Sequence, residues 1–131
     1  MATTLTVRDE TTDGKAVHEF AMDFLVERIT VRELIRSRVY QEVQDYNLKQ
    51  PQDFRSLVQP QDAERTGNGF RLRQPRQIDW KEQFARAVEA FDAGQVLVLV
   101  NDRQAERLDE VIEIKPGTVV SFLKLTMLVG G

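Results

Sequence analysis

The stretch Ile29–Asn47, ITVRELIRSRVYQEVQDYN, decides how the rest of the chain is read. Thr30 followed three residues later by Glu33 is a capping box, in which each side chain satisfies a backbone N–H that a helix start leaves open. Ile29 and Leu34 stand where a hydrophobic staple brackets such a start. Val31, Leu34, Ile35, Val39, Val43 and Tyr46 then recur at helical spacing. The spacing predicts a helix over 31–46, apolar on one face, rich in arginine and glutamate on the other, and stopped by Asn47.

The flanks of this helix alternate with period two instead. Upstream, Leu5 and Val7 alternate with Thr4, Thr6 and Arg8, and Asp13-Gly14 is a tight-turn signal. Phe20, Met22 and Phe24 follow on one strand face, with Glu19 and Asp23 on the other. A hairpin is expected there. Far downstream, QVLVLVN (95–101) is the near-continuous apolar run of a strand covered on both faces. RQAERL (103–108) reads as a short strand and DEVIEIKPGT (109–118) as a loop with a Pro116-Gly117 turn. The last strand is expected from Val119 to about Leu128.

Between these parts the pattern dissolves. Residues 48–77 hold three of the four prolines, together with Gly67 and Gly69, and show no persistent period. A long connection is expected, pinned by Phe54, Leu57, Val58, Phe70 and Leu72. A second helix then starts at a cap, Asp79 with Glu82, carries Trp80, Phe84, Val88 and Phe91 as its apolar stripe, and ends at Gly94.

The bulk numbers bound the function. The 131 residues fit one domain, and a net charge of −3 argues against general binding to nucleic acid or an acidic membrane. Cysteine is absent, which excludes disulfides, thiolate nucleophiles and cysteine metal sites. The start has no basic-then-apolar pattern, and no apolar run is long enough for a bilayer. A cytoplasmic protein is the resulting expectation.

The element order is strand, strand, helix, insertion with helix, strand, short strand, strand. It predicts an α+β fold of the β-grasp kind, a mixed sheet wrapped on one helix, with the first and last strands parallel at the centre. The expected organisation is a single domain over 1–131 with an insertion at 48–94. The hairpin leading into ITVREL, and QVLVLVNDRQAERLDEVIEIKPGTVVSFLKLTMLVGG (95–131), resemble a ubiquitin-like protein in element order and in the spacing from strand to diglycine. LVN (99–101) and VVSFLKL (119–125) also resemble the bacterial sulfur carriers of molybdopterin and thiamine synthesis. Residues 48–94 have no counterpart in ubiquitin, and an insertion of this sort is closer to diverse bacterial ubiquitin-like proteins.

The resemblance implies a function for the tail Met127, Leu128, Val129, Gly130 and Gly131. A partner activating enzyme, using ATP and Mg, adenylates the Gly131 carboxylate. In conjugation, an enzyme cysteine and then a target amine attack the adenylate, so a conjugating enzyme and a deconjugating protease are the further partners. In sulfur carriers, a sulfur donor attacks and leaves a thiocarboxylate. Glycine lacks a Cβ, which lets the tail approach an enzyme's backbone closely and leaves its terminal carbonyl unhindered. The chain itself, with no cysteine and one histidine, is expected to be substrate and carrier rather than enzyme. Met127-Leu128-Val129 departs from ubiquitin, whose tail carries arginines, and is closer to the sulfur-carrier style.

Other residues rank lower. Leu97, Leu99, Leu123 and Leu125 are expected on the sheet face away from the capped helix, and the resemblance places Leu99 and Leu125 at ubiquitin's main recognition patch. The alternative is that the second helix covers that face. Lys15, Lys49, Lys81, Lys115 and Lys124 are candidate acceptors for self-conjugation. His18 reads as a packed or edge residue, and Asp109, Glu110 and Glu113 as solvated carboxylates. RLRQPR (71–76) is a basic patch beside Phe70, which on a net acidic chain reads as a solvated loop or a site for an acidic partner protein ahead of a contact with RNA; a third reading of the chain is a non-conjugated β-grasp interaction module using residues 48–77, binding RNA or a protein.

Overall fold

The computed structural model describes residues 3–12, 16–67 and 69–125. The elements run β1 (Thr3–Thr11), β2 (Ala16–Phe24), β3 (Arg28–Thr30), α1 (Val31–Lys49), β4 (Ala63–Thr66), β5 (Gly69–Leu72), α2 (Trp80–Asp92), β6 (Val96–Val100), β7 (Arg103–Ala105), β8 (Val111–Glu113) and β9 (Val119–Lys124). The chain is α+β, with a mixed five-stranded sheet and two helices. It divides into two compact units, residues 1–34 with 91–131 and residues 35–90. The division runs through both helices: the first turn of α1 belongs to the first unit and the rest to the second. No helix among the described residues is long and apolar enough to cross a membrane.

In the first unit the sheet order is β2-β1-β9-β6-β7. β1 pairs antiparallel with β2 and parallel with β9, whose other neighbour, β6, is antiparallel. The first and last strands are thus adjacent and parallel inside the sheet. Alternation sends Leu5 and Val7 of β1, Val96 and Val98 of β6, and Val120 and Phe122 of β9 to a buried face. Leu5, Val7, Val98, Val120 and Phe122 are 0% exposed. The Asp13-Gly14 turn of the expected hairpin lies outside the described residues.

The start of α1 behaves as its capping box requires. The Glu33 N–H donates to Thr30 Oγ1 at 3.1 Å. Two more open donors are met from the segment before β8: Val31 N–H bonds Glu110 O and Arg32 N–H bonds Leu108 O. That segment was expected as a loop, yet it contains β8, paired antiparallel with β3 with Ile29 opposite Ile112. Three-residue strands are too short to show an alternation in sequence. At the Pro116-Gly117 turn, Thr118 N–H closes on Lys115 O and Gly117 has φ +87°, the geometry that asks for glycine.

The second unit corrects several expectations. α1 continues past Asn47 to Lys49 and ends with Gln50 at φ +43°. Asn47 does not stop it, because its side chain is bonded elsewhere: Nδ2 donates to Ile78 O at 3.0 Å and Oδ1 accepts from Ile78 N–H at 2.8 Å. Residues 48–77 are not only connection. β4 and β5 form a hairpin, and Phe54 adds to it by exchanging two backbone bonds with Phe70. Tyr46 packs on Phe54 with ring centroids 4.6 Å apart.

α2 is capped by Asp79, whose Oδ1 accepts from Lys81 N–H at 3.0 Å, and is closed by Gly94 N–H on Phe91 O. Its buried stripe is rotated from the expected one. Gln83, Ala87, Ala90 and Phe91 are buried, whereas Trp80, Phe84 and Val88 are intermediate. Gln83 is held inward because its amide donates to Ser56 Oγ and Val58 O. Trp80 instead lies beside α1, with Tyr40 edge-on at 5.4 Å and the Arg36 guanidinium over its ring.

Candidate functional site

The site expected from sequence is the end of β9, and the first unit fixes the approach to it. Asn101 and Asp102, at φ +48° and +70°, form the two-residue turn that joins β6 to β7. Asn101 also anchors the beginning of β9: its N–H donates to Val119 O and its Oδ1 accepts from Val119 N–H, both at 2.9 Å. β9 then runs between β1 and β6 up to Thr11 opposite Lys124. One further bond, Leu125 N–H to Gln95 O at 3.0 Å, carries the register past the strand. β9 reaches Lys124 among the described residues, and the expected end near Leu128 lies outside them. Met127, Leu128, Val129, Gly130 and Gly131 lie outside the described residues.

Register places the leucine candidates. Leu97 is directly opposite Leu123, and Leu99 is opposite Ser121. Alternation puts these on the face opposite Val98 and Phe122. Leu97, Leu99 and Leu123 are half-buried, and Leu125 is 38% exposed. β1 borders this leucine row with Arg8 opposite Ser121 and Glu10 opposite Leu123. Arg8 is in turn ion-paired with Glu19 of β2 at 2.9 Å. The row thus has an apolar centre with a charged flank, a composition shared by many protein-docking surfaces.

The lysines are dispersed. Lys49 and Lys81 are exposed on the last turn of α1 and the first turn of α2. Lys115 is exposed and 3.3 Å from Glu113. Lys124 is half-buried at the end of β9, and Lys15 lies outside the described residues.

The lower-ranked residues have structural partners. His18 stacks on Phe20 at 5.2 Å. Asp109 pairs with Arg107, Glu110 with Arg103, and Glu113 with Arg28 and Lys115. No group of three or more potential metal ligands occurs among the described residues. In the basic patch, Arg71 is 3.1 Å from Asp53, and Arg76 donates to Gln61 O and Gln77 O. Two of its three arginines therefore hold the second unit's own backbone and side chains. Comparison with known proteins completes the description. No family model, curated protein or solved structure matches the chain.

Sequence reading missed one buried polar cluster. Arg38, placed by periodicity among the outward arginines, is 2% exposed and 3.3 Å from Glu42. Glu42 also accepts from Leu57 N–H at 3.0 Å. The cluster joins α1 to the segment before β4. Its only sequence signal is i,i+4 spacing, which exposed pairs share. Nearby, burial pushes the Tyr46 phenol above its ordinary value, and the Arg76 guanidinium draws it partly back.

Proposed function

We propose that the chain is a ubiquitin-like modifier of β-grasp fold. Its Gly131 carboxylate, exposed directly or by trimming of a longer precursor, is the atom that is activated. The carboxylate attacks the α-phosphate of ATP, with Mg, on a partner activating enzyme, and pyrophosphate leaves. An enzyme thiolate displaces AMP to give a thioester, and a protein amine displaces the thiolate to give an amide. The chain supplies the acyl group and the partners supply the catalysis, so it acts as a carrier rather than an enzyme.

The observation that supports this reading most is the sheet order β2-β1-β9-β6-β7 with β1 and β9 parallel. A β-grasp has that order and direction, and in it the final strand leaves from inside the sheet rather than from an edge. The diglycine at 130–131 follows that strand by six residues. The leucine row beside β9 is the surface proposed to meet the activating enzyme.

A second reading is favoured by the tail's composition. Met127-Leu128-Val129 is apolar where ubiquitin is cationic. It suits a sulfur carrier, in which a sulfur donor displaces AMP and leaves a Gly131 thiocarboxylate. The third reading, an interaction module on residues 48–77, is weakened because Arg71 and Arg76 are bonded within the second unit.

Intact mass after incubation with ATP, Mg, the cognate activating enzyme and a sulfur donor separates these readings. A covalent protein adduct lost in Gly131→Ala supports the modifier. Replacement of one oxygen by sulfur supports the carrier. An unchanged mass, with Gly131 dispensable in cells, contradicts both.

A further inference from the structure

A groove of about 520 Å³ in the first unit is lined by the end of the β6–β7 hairpin (Val100, Asn101, Arg103) and by β8 (Val111, Ile112, Glu113). Its described lining includes none of the leucine row's residues. Three properties of this groove converge on one kind of occupant.

The first property is an open strand edge. The bonds Val31 N–H to Glu110 O and Ile114 N–H to Glu27 O fix the β3–β8 ladder. In an antiparallel ladder, bonded and non-bonded pairs alternate. Residues 110, 112 and 114 therefore face β3, and the N–H and C=O groups of Val111 and Glu113 face the other way. β8 has β3 as its one strand neighbour among the described residues. Glu113 O meets the Thr118 hydroxyl at 3.5 Å, which leaves the Val111 groups and the Glu113 N–H as the open part of the edge.

The second property is apolar lining next to that edge. Val111 supplies it, at 54% exposed, whereas Ile112 is 2% exposed and belongs to the core. The third is charge. Arg103 and Lys115 both line the groove, with side chains 75% and 73% exposed. Three cations, Arg28, Arg103 and Lys115, share two carboxylates, Glu110 and Glu113, at 3.2–3.6 Å. This local positive excess sits in a unit whose sequence carries thirteen acidic against eight basic residues.

We propose that the groove receives an extended acidic segment of a partner protein, which adds a strand to the open edge of β8. Its main chain bonds Val111, an apolar side chain meets that of Val111, and a carboxylate lies between Arg103 and Lys115. β8 spans three residues, roughly 10 Å at strand rise, so about three to five residues of the partner make the contact. Such a short contact is weak and transient. A nucleic acid fits less well, because the excess is a single charge and no aromatic ring lines the groove.

The test uses the full chain, isotope-labelled, titrated with acetyl-Val-Glu-Val-Glu-Val-amide. The expected result is amide shifts and slowed hydrogen exchange centred on Val111 and Glu113. Affinity is expected to fall about tenfold or more for the Gln-for-Glu peptide, for a backbone N-methylated peptide, and in Arg103→Glu/Lys115→Glu. Both substituted side chains are exposed, and the amide spectrum of the variant reports that the fold is kept. The proposal is overturned by unchanged Val111 and Glu113 signals, by equal affinity for a Lys-for-Glu peptide, or by an oligonucleotide that outcompetes the acidic peptide at these residues. None of these readouts involves Gly131, so the groove and the tail reading fail separately.

Discussion

The two compact units hold themselves together by different means. In residues 1–34 and 91–131, strands more than a hundred positions apart pair in long ladders, and the buried set is mainly apolar, with Asp9, Thr118 and Ser121 as its polar members. In residues 35–90, side chains bonded to backbone do much of the same work. Asn47 holds Ile78, Glu42 holds Leu57, Gln83 holds Val58, Arg76 holds Gln61 and Arg86 holds Gln59. Their charge differs too, with thirteen acidic against eight basic residues in the first unit and eight acidic against ten basic in the second. Burial of apolar surface is non-directional and tolerant of detail, whereas a polar bond of this kind depends on one donor and one acceptor.

The contrast is broken most directly by Phe122→Ala. Phe122 is fully buried in β9, and truncation is expected to cost about 3–5 kcal/mol. Urea unfolding measures the loss, and hydrogen exchange is expected to show it centred on β1, β6 and β9. A cost near zero would mean that the apolar sheet face is not what stabilises the first unit.

Gly69→Ala probes the second unit. A Cβ there would overlap Phe54 O, and Gly69 has φ +144°, so the Phe54–Phe70 bridge must shift. The expected cost is about 1–3 kcal/mol, with exchange quickened in β4 and β5. Asn47→Ala removes both bonds to Ile78, for roughly 1–2 kcal/mol by the same measurement. If Asn47→Ala were neutral while Gly69→Ala was costly, backbone pairing rather than side-chain bonding would be the basis of this unit.

The smallest effect is alkaline. The Tyr46 phenol is raised in the folded chain, mainly by desolvation. The unfolded phenol ionises at about pH 10. The contribution is therefore fully present below that pH and is lost as pH rises through the higher folded value. Urea unfolding of the wild type and Tyr46→Phe, compared from about pH 9 to 11, is expected to show a steeper decline in the wild type. Parallel curves would mean that the phenol is not desolvated.

The same contrast explains what was legible in the sequence. Period-two and helical spacing report apolar burial, so the β1–β2 strands, α1, β6 and β9 were readable, whereas the parallel pairing of the first and last strands followed from the likeness of the element order to a β-grasp. Local chemistry marked the Thr30 and Asp79 caps and the Pro116-Gly117 turn. β3 and β8 were too short to show a period. β4 lacks an apolar alternation, since Glu64 and Arg65 stand where a strand pattern would place one large apolar residue, and β5 shows only the pair Phe70 and Leu72. Asn47, Arg38 and Gln83 each looked like a residue for a helix end or surface, because sequence spacing does not reveal which backbone group a polar side chain will meet. For the candidate site, register located Leu97, Leu99 and Leu123, whereas the groove beside β8 arises from a strand edge and could not be read from spacing.

Attachment of the chain through Gly131 is reached directly by one measurement. The chain is expressed in its native cells with an N-terminal affinity tag, captured under denaturing conditions and digested with trypsin. Cleavage after Lys124 leaves Leu125–Gly131 as a branch on any acceptor lysine. The account predicts peptides carrying that seven-residue branch, absent when Gly131→Ala is expressed instead. Recovery of the tail only as a free linear peptide with an unmodified carboxylate, in cells where the protein is active, would contradict it.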